Sequence, residues 1–347
     1  MNMSDIIHSS QKNDVSDIHL TVGKGVTCRQ YGKLKRMNLD LSDEELEKII
    51  LDMCNEEQLA YFEQGNDLDF AFQTEKGTRT RVNIYRQKEK VAACLRIMGN
   101  KIPKLEEMNL PQKTLADIAS NPRGLVIVTG PTGSGKSTTL AAMIDYINRT
   151  RSEHILTIED PIEYVYTEAK SIIHQREVGN DVKDFAAALR SALREDPDII
   201  LLGEMRDYET ISSAVTAAET GHLVFGTLHT VSAADSISRI IDVFPPHSQN
   251  QIRTQLSSVL KGVISQQLIP LKEGSGRVAA TEILVGNDAV GNLIRQDKAH
   301  QLDSTMQAGA AVGMHTLNSD LERLVREGTI TKESAIKCSS NPQNLRL

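Results

Sequence analysis

The chain has 347 residues, a length that predicts about two domains. Acidic residues outnumber basic ones by 46 to 39, so the formal charge is −7, and aromatic residues make up only 4% of the chain. This balance argues against a dedicated nucleic-acid binder, which usually carries a basic face and often aromatic stacking platforms.

The cysteines and the apolar runs predict neither a metal site nor a membrane anchor. No two of the four cysteines have the C-x-x-C spacing of a zinc site or a redox dithiol, so we expect reduced thiols (Cys28, Cys54, Cys94 and Cys338). The segment Met1–Asp14 is polar and lacks the apolar centre of a secretory signal. No apolar run approaches the roughly 20 residues that span a bilayer, so a membrane role requires a partner.

The first part of the chain, from Ser16 to Ile97, predicts a small domain with a sheet and one long helix. Ser42 and Glu45 form a capping box that begins this helix, which is expected to run to about Gln64. Alternation of polar and apolar residues predicts strands, the last two of them a hairpin: Asp17–Val22, Asp67–Phe72, Thr80–Gln87 and Val91–Ile97.

A second domain follows a proline-containing linker. We predict domains at residues 1–100 and 112–347, with 101–111 as the linker. Short apolar runs now alternate with helical stretches, which predicts a parallel sheet covered by helices; the runs are Leu125–Thr129, Ile155–Ile158, Ile199–Leu202 and Leu223–Thr227. From about Leu256 the chain is expected to be mainly helical, with a break near Pro270–Arg277.

A complete phosphate-loop pattern follows the first of these runs and precedes a predicted helix, Ser137–Asn148. Its residues are Gly130, Pro131, Thr132, Gly133, Ser134, Gly135, Lys136 and Ser137, with Thr138 next in the predicted site. Glycines let the backbone turn its N–H groups toward an anion, and the helix N-terminus adds positive partial charge. The pattern predicts an ATP site in which Lys136 holds the β- and γ-phosphates and Ser137 ligates Mg²⁺.

Acidic side chains follow two other apolar runs. Glu204 follows Ile199–Leu202, while Glu159, Asp160 and Glu163 follow Ile155–Ile158. Because the carboxyl ends of parallel strands meet at the ligand crevice, these acids are candidates for handling magnesium and the attacking water. The alternative is a set of solvated loop carboxylates.

Two histidines and two arginines complete the candidates. His222 and His229 flank the run Leu223–Thr227, and His229 follows its carboxyl end, where it can face the phosphates. A structural role is the alternative for each histidine, and a zinc site is not expected because no Cys or third His is nearby. Arg81 and Arg96 lie on the predicted hairpin and, by spacing alone, can be ordinary surface residues.

Four blocks occur in an order that resembles one protein family. They resemble the Walker A motif, aspartate box, Walker B motif and histidine box of the secretion ATPases of type II secretion and type IV pili: Gly130–Ser137, Thr157–Glu163, Asp196–Asp207 and Gly221–Thr230. The resemblance is strongest to the twitching-motility retraction ATPases of this family. It extends over essentially the whole chain, through Ser16–Leu20, Ile241–Pro245 and Gly313–Leu317.

The resemblance implies an α/β protein with a PAS-like N-terminal α+β domain and a RecA-like ATPase domain with extra C-terminal helices. It implies a homohexameric motor that hydrolyses ATP with Mg²⁺. Its implied partners are an inner-membrane pilus platform protein and, indirectly, pilin, and its implied location is the cytoplasm at the inner face of the membrane. Arg81 and Arg96 match arginines that approach the phosphates in this family, and Glu163 and Glu204 match acids that handle water and magnesium.

Retraction has competing interpretations. Extension ATPases of the superfamily usually carry a longer N-terminal region and a tetracysteine zinc segment, and the lack of both here favours retraction. Against this, Gly291 stands where the retraction ATPases usually have arginine, in the segment Ala289–Leu293. Two interpretations outside pilus motors compete as well: a regulatory module that binds ATP with negligible turnover, and a RecA-like nucleic-acid motor.

Overall fold

The structure, a computed structural model, describes residues 2–13, 15–30, 33–98, 101–274 and 276–347. The contacts divide the chain into two units, each built around its own sheet. One unit comprises Met1–Lys101 with Pro161–Val165, and the other comprises Ile102–Asp160 with Tyr166–Leu347. The ends of the predicted first domain, Met1 and Asn100, lie outside the described residues.

The first unit is an antiparallel sheet with helices. Its described helices are α1 (Met3–Lys12), α2 (Asp43–Leu51) and α3 (Glu56–Glu63), and its strands are β1 (Val15–Thr21), β2 (Gly25–Gln30), β3 (Lys33–Arg36), β4 (Leu68–Gln73), β5 (Arg79–Gln87) and β6 (Lys90–Ile97). The sheet order is β3-β2-β1-β6-β5-β4. Ile18, Ile84 and Leu95 are fully buried and pack with Ile7 and Ile50 in one core. The predicted β5–β6 hairpin is present.

The prediction of one long helix in this unit is wrong. The capping box of Ser42 and Glu45 forms as expected, with the Ser42 N–H 2.8 Å from the Glu45 carboxylate. The helix nevertheless ends at Leu51, and a second capping box, between Asn55 and Gln58, begins α3. Two local capping signals therefore divide the apolar stretch. Helix α1 and strands β2 and β3 were also not predicted.

The second unit is a seven-stranded sheet among helices. Its described helices are α4 (Gln112–Ala119), α5 (Lys136–Thr150), α6 (Phe185–Ala192), α7 (Tyr208–Glu219), α8 (Ala233–Asp242), α9 (Gln249–Val259), α10 (Asp288–Arg295), α11 (Leu302–Ala308), α12 (Leu317–Arg326) and α13 (Lys332–Cys338), and its strands are β7 (Gly124–Thr129), β8 (His154–Glu159), β9 (Ile172–Glu177), β10 (Ile199–Leu202), β11 (Leu223–Thr227), β12 (Leu260–Pro270) and β13 (Arg277–Val285). The order is β13-β12-β7-β11-β10-β8-β9, and only β13 runs antiparallel to its neighbour.

The sheet of the second unit is buried on both faces. Along β7, Leu125 and Ile127 belong to one core while Val126 and Val128 belong to another. Both cores continue into helices, which confirms the predicted parallel sheet covered by helices. Within the described residues, no helix combines the length and the apolar composition that crossing a membrane requires.

Two stretches of this unit differ from expectation. The segment predicted as a linker contains Leu105 and Leu110, which are buried in the same core as Val126 and Val128, so it packs as part of this unit. The prediction of a mainly helical segment from Leu256 is wrong, because the segment contains the β12–β13 hairpin. Strand β12 also pairs with β7, which lies far earlier in the chain, and local periodicity does not reveal such pairing.

Candidate nucleotide-binding site

The phosphate loop connects the end of β7 to the start of α5. All three of its glycines have positive φ: Gly130 at 143°, Gly133 at 78° and Gly135 at 89°. A Cβ atom on Gly130 would lie 2.2 Å from the Gln266 carbonyl oxygen, so no larger residue fits there without a shift of the backbone. This conformation gives the loop the concave backbone that binds anions in such motifs.

Helix α5 begins directly at the loop, with Gly135 as its N-cap. Among the described residues, no side chain caps this terminus, whose first N–H groups carry positive partial charge. The Lys136 ammonium donates hydrogen bonds to the carbonyl oxygens of Gly130 and Pro131, at 2.8 and 3.2 Å. Ser137 and Thr138 lie half-buried in the first turn. The arrangement is suited to binding a chain of phosphates.

An acid and a histidine meet at the carboxyl ends of β10 and β11, two adjacent strands on the same side of β7. Glu204 lies just beyond β10, and His229 lies just beyond β11. The His229 Nε2 atom is 2.8 Å from the Glu204 carboxylate, which also contacts the Arg206 guanidinium. The hydrogen bond to Glu204 raises the pKa of Arg206, and the charge of Asp160 acts in the same direction.

Hydrogen bonds connect the histidine segment to the entrance of the phosphate loop. The Thr129 hydroxyl, one residue before the loop, lies 2.7 Å from the Thr230 carbonyl oxygen and 2.8 Å from its hydroxyl. The Thr230 hydroxyl is in turn 2.7 Å from the Ser236 hydroxyl on α8. The residue next to His229 is therefore held against the strand that leads into the loop.

The other acids occupy different surroundings. Glu159 ends β8, and its carboxylate accepts hydrogen bonds from the Thr157 hydroxyl at 2.6 Å and the Gln175 amide at 3.3 Å. Asp160 follows it, close enough to influence Arg206. Glu163 lies in the segment Pro161–Val165, which groups with the first unit. The structure thus brings Asp160 to the Glu204 region, and the role of Glu163 stays a prediction.

His222 lies at the edge of the sheet opposite the phosphate loop. Its carbonyl oxygen accepts a hydrogen bond from the Gly124 N–H at 3.0 Å, at the amino end of β7. Its ring Nδ1 is 2.9 Å from the Ala217 carbonyl oxygen near the end of α7. The expectation that His222 joins the nucleotide site is not supported by this position. His222 precedes β11, whereas the phosphate loop lies at the carboxyl ends of the strands.

Arg81 and Arg96 belong to the first unit and form ion pairs there. Arg81 lies 2.6 Å from Asp69, and Arg96 lies 3.0 Å from Asp17. The Arg81 and Arg96 side chains are 44% and 67% exposed, so such pairs contribute little to stability. Their role at the phosphates stays a prediction.

The sequence patterns did not identify Gln266, which is buried on β12 beneath the loop. Its amide N–H donates to the Ser134 carbonyl oxygen at 2.7 Å, and its amide oxygen accepts from the Thr139 hydroxyl at 2.8 Å. The available signal was a short polar stretch, Ser265–Gln267, between apolar residues, but its meaning depends on the pairing of β12 with β7.

The donor set agrees with magnesium held jointly by protein and phosphates. Among the described residues, no group of three or more His, Cys, Asp and Glu side chains could hold a metal ion by itself. Magnesium commonly binds through one or two protein oxygens together with substrate phosphates and water. The Ser137 hydroxyl and the Glu204 carboxylate are oxygen donors of this kind.

A strand of a parallel sheet leads through a glycine-rich loop into a helix, and an acid follows another strand of the same sheet at the same edge. These features define a P-loop nucleotide-binding protein. The family model "Type II/IV secretion system protein" matches residues 6–337. The chain belongs to this family.

Relatives and a solved structure resemble the chain over nearly its full length. "Type IV pilus retractation ATPase PilT" of Pseudomonas aeruginosa is 49% identical over 347 residues, covering 99% of this chain and 100% of the relative. "Twitching motility protein" of Neisseria gonorrhoeae is 49% identical, covering 91% and 85%. The solved structure "Crystal Structure of the Pilus Retraction Motor PilT and Bound ADP" has a TM-score of 0.92 and 47% identity, and 99% of each chain is covered.

Proposed function

We propose that this chain is a Mg²⁺-dependent ATPase that powers the retraction of type IV pili and thereby twitching motility. The observation that carries the ATPase proposal is the phosphate loop at the start of α5, connected through Thr129 and Thr230 to the segment that bears the Glu204–His229 pair. The retraction proposal rests on the likeness to the PilT proteins, whose names state that function.

The phosphate loop binds and orients the nucleotide in this proposal. Backbone N–H groups of the loop after Pro131, from Thr132 to Ser137, hold the phosphates, with Thr138 next in the same turn. The Lys136 ammonium exchanges the carbonyl oxygens of Gly130 and Pro131 for β- and γ-phosphate oxygens. Ser137 and Glu204 would hold Mg²⁺, which when bound offsets negative charge on the phosphates.

Glu204, which follows β10, is proposed to act on the water molecule that attacks the γ-phosphate. The Glu204 carboxylate orients a water molecule toward the γ-phosphorus and accepts its proton, while the new P–O bond forms and the bond to the β–γ bridging oxygen breaks, releasing ADP and phosphate. His229 fixes the carboxylate through the 2.8 Å contact. Glu159, Asp160 and Glu163 are proposed to support the same centre.

The finer assignments follow from the family resemblance. We propose a PAS-like domain for residues 1–100 and a RecA-like ATPase domain with extra C-terminal helices for 112–347. Residues 101–111 are proposed to link the two, with Leu105 and Leu110 packed in the core of the second unit. The motor is proposed to be a homohexamer at the cytoplasmic face of the inner membrane. Its proposed partners are a pilus platform protein and, through it, pilin.

Two experiments test the two parts of this proposal. The purified full chain should release phosphate from ATP in a Mg²⁺-dependent reaction, and negligible release would favour the regulatory alternative. Deleting the gene should leave pili present, often in excess, while surface motility is lost. A deletion that reduces the number of pili would instead indicate an extension motor.

A further inference from the structure

Gln266 connects the phosphate loop to the helix that follows it. The side chain is buried on β12, the strand that pairs with β7 on the side away from β11. One end of its amide donates to the Ser134 carbonyl oxygen inside the loop, and the other accepts from the Thr139 hydroxyl one turn into α5. A single side chain therefore fixes the distance between the loop backbone and the helix.

The backbone and side chain of Gln266 also lie against both ends of the loop. A Cβ atom on Gly130 would be 2.2 Å from the Gln266 carbonyl oxygen, and one on Gly135 would be 2.8 Å from its amide nitrogen. Both glycines have positive φ. The curvature of the loop thus follows the surface that Gln266 presents. An apolar side chain at position 266 would leave the buried Ser134 carbonyl oxygen without the amide N–H that donates to it.

We propose that Gln266 is a positioning residue that holds the phosphate loop in its nucleotide-binding conformation. The inference rests on the proposed ATPase function. Gln266 does not touch the reacting atoms; it acts through the Ser134 backbone and Thr139. Because the loop contacts the phosphates before and during the reaction, its distortion weakens binding of substrate and transition state together, and this raises KM more than it lowers kcat.

The chain offers a matched control at the other end of α5. Asn148 is another buried amide with a hydrogen bond at each end. Its amide N–H donates to the Thr167 carbonyl oxygen at 2.8 Å, and its amide oxygen accepts from the Ala169 N–H at 3.0 Å. Gln266→Met and Asn148→Leu each replace a buried amide with an apolar side chain of similar size. Comparing full-length wild type with both variants separates a general loss of stability from an effect on the loop.

The measurements are the thermal unfolding midpoint, the KM and kcat for ATP, and the Kd for ADP. Both variants should lower the midpoint, but only Gln266→Met should raise KM and Kd. The increase should be about tenfold or more, because the variant removes two hydrogen bonds and the loss of one corresponds to about tenfold. Thr139→Val removes the donor at the other end and should change both constants in the same direction. If Gln266→Met does not fold, Thr139→Val decides the inference.

Unchanged ADP affinity in Gln266→Met, or equal changes in KM and Kd in both amide variants, would overturn the positioning role. The ADP measurement does not depend on turnover. Wild type that binds ADP but fails to hydrolyse ATP would contradict the proposed ATPase while leaving the inference about Gln266 to be decided by binding.

Discussion

Replacing Glu204 with glutamine tests the catalytic role proposed for the Glu204–His229 pair. Glu204→Gln keeps the size of the side chain and removes its charge. The glutamine can still accept a hydrogen bond from His229, whose Nε2 lies 2.8 Å from the carboxylate in the wild type. It cannot accept a proton from the attacking water. Its amide oxygen remains an oxygen donor for Mg²⁺, so we expect Mg-ATP to bind and hydrolysis to become slow.

The expected loss of activation free energy is much larger than the expected loss of folding stability, so the two effects can be separated. Removing a general base or water-orienting group typically lowers kcat by about 10²–10⁴-fold, which corresponds to roughly 3–5 kcal/mol in the activation free energy. The partner Arg206 is 76% exposed, and an exposed ion pair contributes only about 0–1 kcal/mol to folding. A large fall in kcat with a nearly unchanged free energy of unfolding is therefore the expected result.

The assay combines Mg-ATP titration, steady-state phosphate release and urea unfolding. Glu195→Gln is the matched control, because Glu195 pairs with Arg176 at 2.5 Å and its side chain is also partly buried, at 32% exposure. The control should retain kcat within about twofold, as expected for a surface charge. The assigned role is refuted if Glu204→Gln lowers ATP affinity with no slower turnover of bound ATP, or if both variants lose kcat equally.

Three further predictions concern other parts of the chain. Lys136→Ala should abolish phosphate release with an unchanged circular dichroism spectrum; activity within about tenfold of wild type would contradict the phosphate-loop assignment. Arg81→Ala and Arg96→Ala should each lower turnover more than ATP affinity, and unchanged turnover would leave both as surface residues. Burial raises the pKa of Glu282 to about 7, so the folded chain binds this proton more tightly than the unfolded chain. Stability should therefore fall by up to ~3 kcal/mol as pH rises from about 4.5 to 7, and Glu282→Gln should remove this component from urea midpoints measured at pH 5 and 8.

The parts of the fold that were predicted correctly have local signals. The run before Gly130 is apolar from Leu125 to Val128 because β7 is buried on both faces, and the loop that follows needs glycine at fixed positions. The positions of Glu204 and His229 follow from one rule, that parallel strands place their carboxyl ends at one edge. The sequence therefore indicated this pair without an indication of their 2.8 Å contact.

The parts that were missed depend on contacts between distant segments. Strand β12 is recognisable only through its pairing with β7, and Gln266 acquires its position from that pairing. The two histidines beside β11 are another case. His222 precedes this strand and His229 follows it, but only the carboxyl end of the strand faces the phosphate loop. The break between α2 and α3 is different, because the capping box of Asn55 and Gln58 was a local signal that the apolar period obscured.

Gly291 shows how a departure from a family pattern can arise from packing. The residue is buried in α10, and a Cβ atom there would lie 2.9 Å from the Ser257 carbonyl oxygen in α9. Any residue with a side chain must therefore move α10 away from α9, although glycine weakens an isolated helix by about 1 kcal/mol relative to alanine. The close approach of the two helices accounts for glycine at this position in this chain.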